Sequence, residues 1–388
     1  MGSRRAVSPV RYVNFQRFST RYRDELHAVF SRFLESGIYM GGPEVIEFER
    51  SFAEYCGTQF AVGVANGLEA LELTLRAWRV GPGDEVIVPA NTAVQTALAV
   101  AHTGARVVLV DVEADTGLLD ASAVEAALTP ATRAIVPVHL YGHPVDIDPV
   151  YALATRARVR VLEDAAHAHG ARYRDRRCGS LADAAAFSFY PTKNLGAFGD
   201  AGCVTTNDAA LADELRLLRA CGLTVDYRHD RKGYTSRLDP LQAALLRWKL
   251  SHLDAWNERR RELASTYLAE LVGTPGLMLP VVRSWAEPVW YAFPICVYHG
   301  LRDELARALL DDAIETNVHY RVPVHLQPCF EDEAWRRGDF PVSELRAASL
   351  LSLPLDAFHT GEEIARVIAA VRSAMDRLCE RAQSASLA

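Results

Sequence analysis

Phe187-Ser188-Phe189-Tyr190-Pro191-Thr192-Lys193-Asn194-Leu195-Gly196 carries the signal that decides how this chain is read. The apolar run Ala184–Phe189 reads as a buried strand. Lys193 follows just past its end, with Ser188 five residues before it. Twenty-nine residues upstream of the lysine stands Asp164, at the end of a second apolar run, Val159–Glu163. After it come Ala165-Ala166-His167-Ala168-His169-Gly170. A lone lysine is ordinarily a solvated surface charge. A lysine and an aspartate at the carboxyl ends of buried strands are different, because ligands of open α/β sheets bind beyond those ends.

Working outward, strands and helices alternate. Phe60–Val64, Glu85–Pro89, Val107–Val110, Ala134–Val138 and Cys203–Thr205 are further strand candidates. Helical patterns follow Asn66-Gly67 through Trp78, cover about 93–103, and recur near 149–157. This βαβα rhythm predicts an α/β fold, a largely parallel sheet covered by helices on both faces. Two amphipathic helices precede it. Residues 22–36 place Leu26, Val29, Phe30, Phe33 and Leu34 on one face and end at Gly37. The second opens at Pro43, carries Val45, Phe48, Phe52 and Tyr55, and closes at Gly57. After Asp239-Pro240 one long helical pattern runs to about Leu271, then prolines punctuate a smaller mixed segment. The expected division is a large domain over 1–250 and a smaller C-terminal α+β domain over 251–388.

Composition narrows the class. With 49 % hydrophobic and 23 % charged residues, the chain reads as an ordinary globular protein. A net charge of −7 argues against a nucleic-acid surface, and Arg259-Arg260-Arg261 reads as a solvated helix face. Seven cysteines without short paired spacing suggest neither a disulfide framework nor a metal site, and fit a reducing cytoplasm. No apolar stretch is long enough to span a bilayer. Met1-Gly2-Ser3-Arg4-Arg5 lacks an apolar run behind it, so no signal peptide is expected. Gln383–Ala388 reads as a frayed tail.

Lys193, Asp164 and a donor-rich turn form the set that pyridoxal 5'-phosphate (PLP) chemistry needs: an amine for a Schiff base, a carboxylate for the pyridine nitrogen, and donors for a phosphate. Once freed by a substrate amine, Lys193 can move the proton as general base and acid. Asp164 keeps the ring an electron sink. His167 is placed to reach the ring hydroxyl, whereas His169 reads as structural. The turn Ala65-Asn66-Gly67-Leu68 offers free backbone N–H groups at a helix start, and the Ser188 hydroxyl adds a donor. The turn by itself is a common feature and gains force only beside Lys193.

These residues resemble the DegT/DnrJ/EryC1/StrS family of PLP-dependent sugar aminotransferases, which have the aspartate aminotransferase fold (fold type I). The resemblance runs from about Val13 to Val371. Its most specific stretches are His139-Leu140-Tyr141-Gly142, Glu163–Gly170, Phe187–Gly202, Ser236–Ala244 and Ser352-Leu353-Pro354-Leu355. It implies a homodimer with shared active sites and L-glutamate as amino donor. The Asn66-Gly67-Leu68 form of the phosphate turn resembles the branch that aminates C3 of dTDP-3-keto-6-deoxyhexoses. His319 and Tyr320 match a segment that lines the sugar site in relatives; a core or interface role fits them equally. Arg237 and Arg321 are candidates for the sugar nucleotide's diphosphate, and either could be an ordinary ion-pair residue. Two positions depart from the family pattern. Ala93 stands where an aromatic usually stacks on the cofactor ring, so another group must cover that face. Thr235 stands where an asparagine usually reaches the partner subunit's phosphate.

Three alternatives stand beside this resemblance. The acceptor could be a 4-keto sugar or a keto cyclitol. A dehydratase relative would have lost the lysine, which is intact here. A PLP-binding regulatory protein without turnover would need no base free to move protons.

Overall fold

The computed structural model describes residues 8–224 and 226–386, so Met1–Arg5 and the last two residues of the tail lie outside it. Its main feature is a seven-stranded sheet in the order Phe60–Val64, Gly202–Thr206, Ala184–Ser188, Arg160–Asp164, Thr132–Ile135, Glu85–Pro89, Arg106–Val110. The four pairings from Ala184–Ser188 to Arg106–Val110 are parallel. Gly202–Thr206 alone runs against its neighbours. The carboxyl ends of the other six strands therefore share one edge.

Strand side chains alternate between two faces with a period of two. Ala61, Ile87, Val161 and Phe187 join one core with Phe48, Phe52 and Val150 of the covering helices. Val62, Val86, Leu162 and Ala186 join the other with Leu71, Val100 and Leu215. Such double coverage is what makes the strands read as continuous apolar runs. A third core gathers Leu263, Tyr267, Phe293, Ile295, Leu305, Leu351 and Ile364, and takes in Val10 from near the N-terminus. It packs on a small antiparallel sheet of Leu277–Met278, Phe293–Val297 and Leu350–Leu353.

The structure departs from the sequence reading in four places. The long pattern from 240 is two helices, Pro240–Leu250 and Leu253–Leu271, since Ser251 and His252 turn the chain without breaking its apolar periodicity. Of the tail read as frayed, residues 383–386 belong to a 26-residue helix, Gly361–Ser386. Helix Arg23–Ser36 ends at Gly37 in the left-handed conformation (φ 63°) as expected. Its apolar stripe is split, however: Leu26 and Val29 are buried while Phe30 and Leu34 are about half exposed, at 47 % and 50 %. Finally, Arg260 is no solvated charge. It is buried, and its guanidinium donates to the carbonyls of Trp290 (3.0 Å) and Leu355 (2.8 Å).

Candidate active site

At the shared carboxyl edge the structure opens a cavity of about 480 Å³, lined by Asn66, Gly67, Leu68, Asp164, His167, Ser188, Lys193 and Tyr320 among others. Eight of the residues singled out from sequence thus meet in one place, brought there from three separate strand ends and the segment before Pro323.

Asn66 caps helix Gly67–Ala77, its side-chain oxygen accepting from the Glu69 N–H at 2.9 Å. A helix start leaves its first N–H groups without intrahelical acceptors. The Asn66 cap takes Glu69's, which leaves those of Gly67 and Leu68 for a ligand. Glycine is required at 67 because a Cβ there would lie 2.5 Å from Ser188 Cβ. Gly202 is pressed the same way, its hypothetical Cβ 2.3 Å from the Asn66 carbonyl oxygen. The two glycines thus allow an approach of protein to protein, which locks the helix start against the Ser188 strand end.

Asp164 is buried. Its Oδ2 accepts from the Thr96 hydroxyl at 2.8 Å and its Oδ1 from the Ala166 N–H at 3.1 Å. Burial pushes the carboxyl above its usual range, opposed by those two donors and by the charge of Lys193. The Lys193 amine lies 4.3 Å from the centre of the Tyr291 ring. Burial pushes it down to about 7, and only the charge of Asp164 works against that fall. An amine near neutrality can be both nucleophile and base.

His167 accepts the Tyr141 N–H on Nδ1 (3.2 Å), which assigns its proton to Nε2. Its ring stacks on Tyr291 with centres 4.0 Å apart. Burial, with Lys193 nearby, pushes the imidazole far below its ordinary pKa. His169 is packed against Phe187 and Phe189, and burial takes it down to about 3. Its role is to fill the core under the strand end.

Glu163 turns away from the cavity. Its two oxygens accept from His139 Nε2 (3.0 Å) and from the N–H groups of Gly179 (2.8 Å), Leu181 (2.8 Å) and Ala182 (3.1 Å). Cys178 adds a third buried donor atom close by. With all four lone-pair directions of the carboxylate taken, the trio is a hydrogen-bonded latch on the 178–182 turn.

The remaining sequence candidates lie off this wall. His319 is buried behind it, its ring nitrogens 3.0 Å from Ser352 Oγ and 3.3 Å from Asn317 Nδ2. Thr235 is exposed, 3.2 Å from Cys221 Sγ. Arg321 pairs with Asp303 at 3.1 Å on the surface, and Arg237 is exposed. Ala93 does line the cavity, as do Thr92, Gln95, Thr96 and Leu140, which were not predicted from sequence. Thr96 follows the Asn91-Thr92 strand end by one helical turn, a signal that was available. Tyr291 was not legible, since it enters from the proline-punctuated segment.

Residues 21–372 match the DegT/DnrJ/EryC1/StrS aminotransferase family, and the chain belongs to it. It is 48 % identical over 378 residues to a dTDP-3-amino-3,4,6-trideoxy-α-D-glucose transaminase of Streptomyces venezuelae, covering 97 % of this chain and 99 % of that one. A dTDP-3-amino-3,6-dideoxy-α-D-galactopyranose transaminase of Aneurinibacillus thermoaerophilus is 44 % identical over 360 residues, or 93 % and 98 % of the two chains. Among solved structures, S. venezuelae DesV in complex with a ketimine intermediate superposes with a TM-score of 0.93 at 48 % identity, over 95 % of this chain and 99 % of that one. The expected fold type I architecture is the observed one.

Proposed function

We propose that this chain is a PLP-dependent aminotransferase that moves the amino group of L-glutamate to C3 of a dTDP-linked 3-keto-6-deoxyhexose. One observation carries the reading. A near-neutral lysine, a buried carboxylate with lone pairs to spare and a helix start with free N–H groups face one cavity. When bound, PLP supplies an aldehyde that takes an amine and a ring that spreads charge. The chain's own groups do the rest. Lys193 holds or moves a proton at Nζ. Asp164 would meet the pyridine nitrogen with its carboxylate, and Gly67, Leu68 and Ser188 would donate to the phosphate. His167, neutral and protonated on Nε2, offers one donor to the ring hydroxyl. Tyr320 borders the space left for the sugar.

C3 regiochemistry is supported by the two transaminase relatives, both of 3-amino sugars. The 4-keto sugar, the keto cyclitol and the regulatory protein without turnover remain as outcomes of the test. The reading includes a homodimer. Phe30, Leu34, Ile38, Tyr39, Met40 and Ile46 form an exposed apolar surface, beside a groove of about 470 Å³ lined by Leu26, Phe30, Phe198 and Leu245, and a second copy covers it. Thr235 then faces the partner's phosphate site across that interface, and Arg237 and Arg321 are candidates for the sugar nucleotide's diphosphate. It also includes a domain division near residue 250, supported by the separate third core, and a reducing cytoplasm, supported by seven unpaired cysteines. No helix among the described residues is long and apolar enough to cross a membrane.

The test runs the half-reaction backwards. The PLP-loaded enzyme is mixed with a dTDP-3-amino-3,6-dideoxyhexose or its 4-amino isomer, and the visible absorption of the bound cofactor is followed. Bleaching by the 3-amino sugar alone is expected. Bleaching by the 4-amino isomer alone sinks the regiochemistry, and silence with both but bleaching by glutamate points to a cyclitol. No response to glutamate leaves the regulatory reading.

A further inference from the structure

Two threonines stand behind Asp164. Thr96, in the first turn of helix Val94–Thr103, gives its single hydroxyl proton to Asp164 Oδ2 at 2.8 Å. Thr96 Oγ1 also lies 3.1 Å from Thr92 Oγ1. An ionised carboxylate only accepts, so the Thr96 proton is committed to Asp164 and the Thr92 hydroxyl must donate to Thr96. The pair forms a one-way relay, Thr92 to Thr96 to Asp164. Both side chains are almost wholly buried, at 2 % and 1 % exposure, so water does not compete for these bonds.

We propose that Thr96, backed by Thr92, is the positioning residue that keeps Asp164 ionised and aimed for the cofactor's pyridine nitrogen. The inference rests on the PLP reading above. Without a donor, a buried carboxyl escapes its desolvation cost by taking up a proton. A protonated Asp164 is a poor partner for a protonated ring nitrogen. The two carboxylate oxygens are also held from different directions, Oδ1 by the Ala166 N–H that follows its own strand and Oδ2 by a helix 68 residues away. That fixes the rotation of the carboxylate plane, leaving one lone pair on each oxygen for the ring. The other groups whose charge reaches Asp164 are Lys193 and His139. Neither bonds to it, so the threonine relay supplies the only side-chain donor to Asp164 among the described residues.

The experiment compares dissociation constants for PLP and for its 1-deaza analogue, which has carbon in place of the pyridine nitrogen. Both are measured by quenching of tryptophan fluorescence. Thr96→Val keeps the shape and removes the hydroxyl; Thr96→Ser keeps the hydroxyl. The expected result is a loss of about tenfold to a hundredfold in PLP affinity for Thr96→Val, the scale of a hydrogen bond to a charged group. The deaza analogue should bind Thr96→Val and the unmodified enzyme alike, and Thr96→Ser should restore PLP binding. Equal weakening toward both ligands would reduce Thr96 to a packing residue and overturn the proposal, as would unchanged PLP affinity. Thr92→Val carries the same test if Thr96→Val does not fold: a several-fold loss for PLP alone supports the relay, and equality with the unmodified enzyme refutes it. Failure of the unmodified enzyme to bind PLP would instead strike the cofactor reading.

Discussion

Replacing Gly67 by alanine puts a methyl carbon 2.5 Å from Ser188 Cβ and 3.1 Å from its Cα. Carbon atoms settle at about 3.5–4.0 Å, so the helix start must retreat by roughly 1 Å. Overpacking of this kind costs about 1–3 kcal/mol of stability, which lowers the melting temperature by a few degrees. The same retreat would stretch the bonds proposed from the Gly67 and Leu68 N–H groups to a phosphate from about 2.9 Å to beyond useful range. Two charge-assisted bonds at about 1.5 kcal/mol each correspond to a loss of roughly a hundredfold in PLP affinity. Fluorescence titration with PLP and a thermal melt measure both effects. Adding Ser188→Gly removes the nearest clashing atom and should recover part of the melting temperature, giving a coupling of about 0.5–3 kcal/mol. If Gly67→Ala melts and binds PLP like the unmodified chain, the Gly67 turn is not the phosphate seat and the reasoning fails.

Three further outcomes are expected. Lys193→Ala should lose the visible absorption of bound PLP and lower turnover by at least about 10³-fold, the scale of a lost acid–base catalyst; near-normal turnover would remove the lysine from the chemistry. With the Lys193 amine pushed down to about 7, the neutral nucleophile accumulates as pH rises. PLP uptake by the cofactor-free chain should therefore climb through pH 7 and level off above about 8, where an ordinary lysine would keep gaining about tenfold per pH unit until near 10. Continued climbing in stopped-flow traces would contradict the buried amine. Arg260→Met should orphan the Trp290 and Leu355 carbonyls and cost about 2–4 kcal/mol by denaturant unfolding; an unchanged midpoint would return this arginine to the solvated face first assigned to it.

Local features of this chain are legible in its sequence. The strands flanking Asp164 and Lys193 announce themselves because each is buried on both sides, so the apolar run needs no partner to be seen. Gly37 and Gly57 mark helix ends because left-handed backbone favours glycine at those points. The break at Ser251-His252 is not legible, because two consecutive helices share one apolar rhythm. Glu163 and Asp164 are adjacent and looked alike; alternation in the strand sends one to a backbone latch and the other to the cavity.

The amino-acid sequence by itself determined the α/β alternation, the lysine and aspartate at strand ends, and the family to which they belong, because these are properties of short segments and their order. Only the tertiary structure decided that Thr96 serves Asp164, that Tyr291 supports Lys193 and His167, that Arg260 is buried, and that Phe30 and Leu34 are left uncovered. Each depends on which distant segments meet, and on how far their packing excludes water. A residue's neighbours in sequence carry no record of that.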